Sequence, residues 1–228
     1  MTQVEDNFWQ VKSLHEEYGL VMRIVPHSER GQVAKIFFQE NGIRSVYIKK
    51  GKGSGRFKKE EVGTVLSPSI TKLSFKISSL DSMPKVDSCI VEEGFLQLGH
   101  DPVQWGRAGY LMEISEQILP AAHPEKEVYE MLLEAIELLA VGKGDGVLLR
   151  AFELRLLKTQ GYLGDAEKHL TPMARHHFSD LLSLPFVELP PLNRATQKEL
   201  ARPFWEQRRN LGLKPTKSAQ FLKQFQEN

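Results

Sequence analysis

Cysteine is nearly absent: Cys89 stands alone in 228 residues, which excludes a disulfide framework and every zinc or iron–sulfur site built from several cysteines. Long apolar runs are missing too. Runs such as Gly19 to Ile24 meet charge after a few residues, far short of the roughly 18 apolar residues of a bilayer span, so no membrane role is expected. The N-terminal MTQVEDNFWQ holds acids where a secretory signal needs a basic and then an apolar stretch, which predicts a cytoplasmic protein. A basic excess of the kind nucleic-acid binders carry is also lacking, with 30 Lys+Arg against 29 Asp+Glu and a net charge of +1. What the chain does have is 41% hydrophobic residues, enough to bury a core at this length and to exclude general disorder.

The near-neutral total is a cancellation between regions. Residues 41–59 hold seven bases (Arg44, Lys49, Lys50, Lys52, Arg56, Lys58 and Lys59) and no acid, a local charge of +7. Residues 81–149 hold thirteen acids against four bases, or −9, and residues 194–228 hold eight bases against three acids, or +5. Such asymmetry points to a directional electrostatic surface, although charge runs also serve as plain solvated faces.

From Gly19 to Val91 the chain reads as strands. Leu20, Met22 and Ile24 alternate with their neighbours; Val33 to Phe38, Ile43 to Ile48, Val62 to Leu66, Leu73 to Ile77 and Val86 to Val91 follow, with turn residues between them. Five or six short strands without a crossover helix predict a small antiparallel barrel of OB type. After Gly94 the period becomes helical. Helices are expected over Val103 to Leu119, from Pro124 to about Gly142, over Val147 to Gln160, Pro172 to Leu184, Gln197 to Asn210 and Thr216 to Gln226. The fold class is therefore α+β: an OB-fold barrel over residues 1–93, with 1–18 unplaced, and an α-helical bundle over 94–228.

The basic window reads Ile48-Lys-Lys-Gly-Lys-Gly-Ser-Gly-Arg-Phe-Lys-Lys59. Its glycines let backbone amides approach an anion, each lysine can neutralise a phosphate, and Tyr47 and Phe57 can stack on bases. It lacks the spacing of a phosphate-binding P-loop, and a hairpin tip with solubilising lysines is the plain alternative. His169, His176 and His177 lack a cysteine or a spaced carboxylate to complete a metal site, so no metal and no cofactor are expected. Cys89, in a strand-like run, reads as buried and inert. No hydrolase, zinc-protease or dinucleotide motif occurs, which gives no reason to expect an enzyme. Arg150 and Arg155 lie on a leucine-rich helix, where they either lay their stems over the core and pair with Glu153 or flank a groove that captures an acidic-apolar peptide.

Three blocks, in order, carry a family resemblance: Lys35-Ile-Phe-Phe-Gln-Glu-Asn-Gly42 leading to Val46-Tyr-Ile-Lys-Lys-Gly51 and Leu66-Ser-Pro68; Leu149-Arg-Ala-Phe-Glu-Leu-Arg-Leu-Leu-Lys-Thr-Gln-Gly-Tyr162; and Leu211-Gly-Leu-Lys-Pro-Thr-Lys-Ser218. With them the chain resembles the bacterial recombination-repair mediator RecO. The resemblance implies an OB-fold and a helical domain in a protein that binds single- and double-stranded DNA, anneals complementary strands and interacts with RecR. It also implies capture of the acidic-apolar C-terminal tail of the single-stranded DNA-binding protein, which acts indirectly on RecA, and a nucleoid-associated place in a bacterial cytoplasm. By position, the Lys49 to Lys59 loop corresponds to the family's basic segment, Arg150 to an arginine near the tail's docking place, and Lys214 and Lys217 to a basic region with a DNA-facing role. One departure stands out. Many members carry a four-cysteine zinc module after the Gly-Tyr that is here Gly161-Tyr162, whereas this chain continues Leu-Gly-Asp-Ala-Glu-Lys-His. A cysteine zinc finger is thereby excluded, and any part of the RecR contact belonging to that module has no counterpart. A protein-only scaffold and an RNA-binding barrel are the competing functional classes.

Overall fold

The computed structural model describes residues 14–28, 31–49, 67–76 and 83–225. The chain divides into two compact units, Met1–Gly94 and Phe95–Asn228. The described residues of the first form a closed barrel of five strands: β1 (Leu14–Ser28), β2 (Gly31–Phe38), β3 (Gly42–Lys49), β4 (Ser69–Lys76) and β5 (Lys85–Gly94). β1 pairs antiparallel with both β2 and β4, and β2 with β3. β5 pairs antiparallel with β4 and meets β3 in parallel where Tyr47 faces Lys85. The order β1-β2-β3-β5-β4 is that of the expected OB-type barrel. The expected strand at Val62 to Leu66 lies outside the described residues, as does Ile77.

Alternation makes this barrel fold. Val21, Ala34, Ile36, Phe38, Val46, Ile48, Leu73, Phe75 and Cys89 point inward and form one buried cluster; a register shift between Val21 and Arg23 lets β1 bend while keeping Ile24 against that core. Burial pushes the Cys89 thiol up to about 12, so it stays protonated and inert. Gly19 is required by close packing. A Cβ there would sit 2.4 Å from Ile36 Cγ2, a stiff β-branched carbon with nowhere to move. Gly19→Ala is expected to overpack the core and cost about 1–3 kcal/mol, measurable as a lower urea midpoint.

The second unit opens with a short 3-10 turn, Leu96–His100, and its described residues continue as seven α-helices, with further 3-10 turns at Ala166–His169 and Phe186–Glu188: α1 (Pro102–Ile118), α2 (Lys126–Ala140), α3 (Gly146–Thr159), α4 (Pro172–Ser183), α5 (Arg194–Leu200), α6 (Arg202–Asn210) and α7 (Lys217–Lys223). Side-chain caps start most of them. Asp101 accepts from Val103 N at 2.8 Å, Asp145 from Val147 N at 2.8 Å, and Asn193 from Thr196 N at 2.9 Å. Left-handed glycines Gly142 and Gly161 stop α2 and α3, as their sequence positions predict. α3 is the hub, with Leu148, Phe152, Leu154, Leu156 and Leu157 essentially inaccessible. One expectation is corrected: the single helix from Gln197 to Asn210 is two, α5 and α6. Pro203 has no N–H for the carbonyl four residues earlier, so the backbone breaks at Ala201, while the Asn193 cap starts α5 before Gln197.

Candidate nucleic-acid interface and the helical unit

On the outer surface of the barrel, register places Arg23 opposite Lys35 and Lys35 opposite Ser45, a row across β1, β2 and β3. The next row is Val25, Val33 and Tyr47. Arg23 and His27 are exposed, Lys35 and Tyr47 half-buried. The His27 ring meets Tyr47 edge-on with centroids 6.0 Å apart. This face offers cations beside an aromatic ring, the pairing that single-strand binders use for phosphate and base. Sequence reading missed Arg23, Lys35 and His27; for Lys35 the signal was present in strand parity, since it stands between the inward-facing Ala34 and Ile36.

The structure separates the sequence-predicted bases. Arg44 has the inward parity of Val46 and Ile48 and sits at the β2–β3 end, where its Nε donates to Asn41 O at 3.1 Å, so it is not part of the outer row. Lys49 closes β3 opposite Gly31. Lys50, Lys52, Arg56, Lys58 and Lys59 lie outside the described residues, as does Phe57.

In the helical unit Arg150 and Arg155 do not converge. Five residues apart on α3, they are separated by roughly 140° around the helix. Arg150 forms an ion pair with the fully buried Glu153, which also accepts from the Tyr110 hydroxyl of α1. Burial pushes the Glu153 carboxyl up to about 7, against the opposing pull of the Arg150 guanidinium, the Tyr110 hydroxyl and Arg208. Tyr110 is itself driven well above its ordinary range by burial and by the Glu153 charge. Arg155 turns the other way. Its Nε donates to Leu181 O at 2.7 Å and its Nη2 to Leu184 O, and its guanidinium lies 4.3 Å from the Phe186 ring centre. It thereby closes the C-terminus of α4. The shallow groove beside it, about 270 Å³, is edged by Glu127, Glu130 and Glu134, a poor surroundings for an acidic peptide.

Lys214 and Lys217 are exposed at the turn into α7. That turn is tied to α1: Lys214 N donates to Gln117 Oε1 at 2.7 Å, and Ser218 Oγ to Glu113 Oε1 at 3.0 Å. Between α6 and α7 lies a cleft of about 630 Å³ lined by Trp205, Arg208, Arg209, Leu213, Ala219 and Lys223, among others. Among the described residues no group of three His, Cys, Asp or Glu side chains is arranged to hold a metal ion; His176 and His177 approach Asp180 at 3.8 and 3.6 Å. No described helix is long and apolar enough to cross a membrane.

Residues 99–170, from the end of the first 3-10 turn through α3 and on to Leu170, match the family model "Recombination protein O C terminal". DNA repair protein RecO of Anaeromyxobacter sp. (strain K) is 29% identical over 147 residues, 64% of this chain and 56% of that protein. The protein of the same name from Symbiobacterium thermophilum is 28% identical over 152 residues, covering 66% and 58%, and that from Syntrophobacter fumaroxidans 24% over 146 residues, covering 64% and 56%. The chain spans a little over half the length of these curated relatives. With a five-strand barrel ahead of a helical unit and these matches, the chain is similar to the bacterial RecO family of DNA repair proteins, the family that its three sequence blocks resemble.

Proposed function

We propose that this protein is a non-enzymatic mediator of DNA repair and recombination. It binds single- and double-stranded DNA without sequence preference, anneals complementary strands, and works with RecR and the single-stranded DNA-binding protein to promote loading of RecA. The observation that carries this reading is the barrel's outer row of Arg23 and Lys35 beside Tyr47, whose strand β3 belongs to the acid-free +7 window. Annealing needs no reacting side chain; it needs two polyanions neutralised enough to approach and held loosely enough to pair. Lys49 to Lys59, with Arg44 at the other end of β3 and Lys214 and Lys217 on the helical unit, supply that neutralisation.

The helical unit, the part similar to the RecO C-terminal family, is the proposed docking body for the acidic-apolar tail. Arg150 keeps 15% of its side-chain surface exposed while paired to Glu153, so an incoming carboxylate shares the guanidinium; Arg155, held by the Leu181 and Leu184 carbonyls, takes no part. A labelled acidic-apolar peptide is expected to bind in a fluorescence titration, and the same peptide with its carboxylates replaced by amides is not.

Fluorescence-monitored annealing of complementary oligonucleotides tests the main reading. The protein is expected to accelerate annealing of bare strands and of strands precoated with single-stranded DNA-binding protein. A protein-only scaffold would leave both rates unchanged, and that result would overturn the proposal.

A further inference from the structure

We propose that the cleft between α6 and α7 is a binding site for single-stranded DNA, with the Trp205 indole as a base-stacking platform and Arg209 and Lys223 as phosphate contacts. The inference rests on the reading that the chain binds DNA, and it adds a second site, on the helical unit, to the barrel face.

Three features of the cleft carry it. Its charged lining is wholly cationic, Arg208, Arg209 and Lys223, with no acid among the lining residues. From 202 to 223 the chain holds six bases and one acid, Glu206, and Arg202, Lys214 and Lys217 are exposed beyond the cleft. A run of cations extending past the cleft suits a polyanion that carries charge at every residue, more than a peptide with one acidic cluster. Second, Trp205 is 46% exposed and lines the cleft, so its ring face is open to a stacking base. Its indole is held in place by Arg208, whose guanidinium carbon lies 5.1 Å from the ring centre. Arg208 is buried and anchored through its Nη2 to Lys214 O, so the platform exists before any ligand arrives. Third, the apolar lining is shallow. Leu213 and Ala219 are half-buried and Pro215 is exposed. That is a flat surface for a planar base, and it lacks the closed, desolvated pocket in which a peptide's anchor side chain is held. The volume, about 630 Å³, lies within the range of small-ligand clefts, about 300–1,000 Å³.

The test uses the full chain with Trp9→Phe and Trp105→Phe, leaving Trp205 as the fluorescent reporter, and a labelled oligo(dT) as probe. Stacking is expected to quench Trp205 emission in parallel with the rise in oligonucleotide anisotropy. In the parent protein, Trp205→Ala is expected to weaken oligo(dT) binding about tenfold, the order of one lost base–aromatic stack. Trp205→Phe should recover most of that loss, a rescue that a purely structural tryptophan would not show. Arg209→Glu with Lys223→Glu should weaken binding further. Anisotropy that rises while Trp205 emission stays unchanged, with Trp205→Ala binding normally, overturns this site and leaves DNA binding intact. Quenching by an acidic-apolar peptide and not by oligo(dT) assigns the cleft to a peptide and likewise overturns it. If the parent protein shows no anisotropy change at all, DNA binding fails and this site with it.

Discussion

Arg150→Ala is expected to destabilise the helical unit about 1 kcal/mol more at pH 8 than at pH 5, because only at the higher pH is Glu153 a carboxylate that loses the partner of a buried ion pair. Glu153 is fully buried and its charge is met by Arg150, with Tyr110 donating to the other oxygen. Without the guanidinium the carboxylate must either stay charged in an apolar interior or take up a proton. The second route is the cheaper at low pH, so the loss should shrink as pH falls towards 5. The parent protein has its own dependence with a definite sign. Burial holds the folded-state Glu153 carboxyl at about 7, above its unfolded value of 4.5, so the folded state binds more protons between those values. Stability contributed by this group is therefore greatest below pH 4.5, falls as pH rises through the interval and levels off above about 7. Glu153→Gln is expected to flatten that fall, since an amide does not titrate. Urea unfolding followed by circular dichroism at pH 5, 6, 7 and 8 checks all three chains. An Arg150→Ala loss of the same size at every pH would mean that Arg150 acts through packing and not through the Glu153 charge.

How far this network was legible in the sequence depends on distance along the chain. The Arg150–Glu153 pair is three residues apart on a helix, and helical spacing alone puts the two side chains on one face. Tyr110 is 43 residues away, and nothing in the local pattern of α1 announces that its hydroxyl meets Glu153. The same limit explains Arg155, whose acceptors Leu181 and Leu184 lie at the far end of α4. In the barrel, β2 and β3 were readable because inward positions such as Ala34, Ile36, Val46 and Ile48 alternate with polar ones. The start of β1 was not. Leu14 to Tyr18 is largely polar and is set by pairing with β4, from Leu14 opposite Lys76 to Tyr18 opposite Lys72, before β2 joins at Gly19. Pairing of that kind is a property of two distant segments. The α6–α7 cleft shows the mixture most clearly. Trp205 among Arg202, Arg208 and Arg209 is visible in the sequence, but the cleft exists only because Glu113 and Gln117 of α1 hold the turn into α7.

Oligonucleotide affinity is expected to fall about 10²–10³-fold between 50 and 200 mM salt, the response of a protein that neutralises roughly five to seven phosphates on a single strand. The expectation follows from the seven bases and no acids of residues 41–59, since each phosphate contact releases condensed counterions and steepens the slope of log affinity against log salt. Replacing Lys49, Lys50, Lys52, Lys58 and Lys59 together by alanine should remove about 3.5 from that slope, at about 0.7 per contact, and leave a shallow remainder from Arg23, Lys35 and the C-terminal bases. Replacing the same five by arginine should leave the slope almost unchanged, because each side chain still neutralises one phosphate whatever its hydrogen-bonding geometry. The pair of variants separates charge from side-chain chemistry: a steep slope retained by the alanine chain would place the phosphate contacts elsewhere, and a slope lost by the arginine chain would show that charge alone does not carry the binding. The annealing rate should follow the same order, arginine chain near parent and alanine chain near the uncatalysed rate, because the step being accelerated is the approach of two polyanions and the −9 charge of residues 81–149 cannot supply the missing neutralisation.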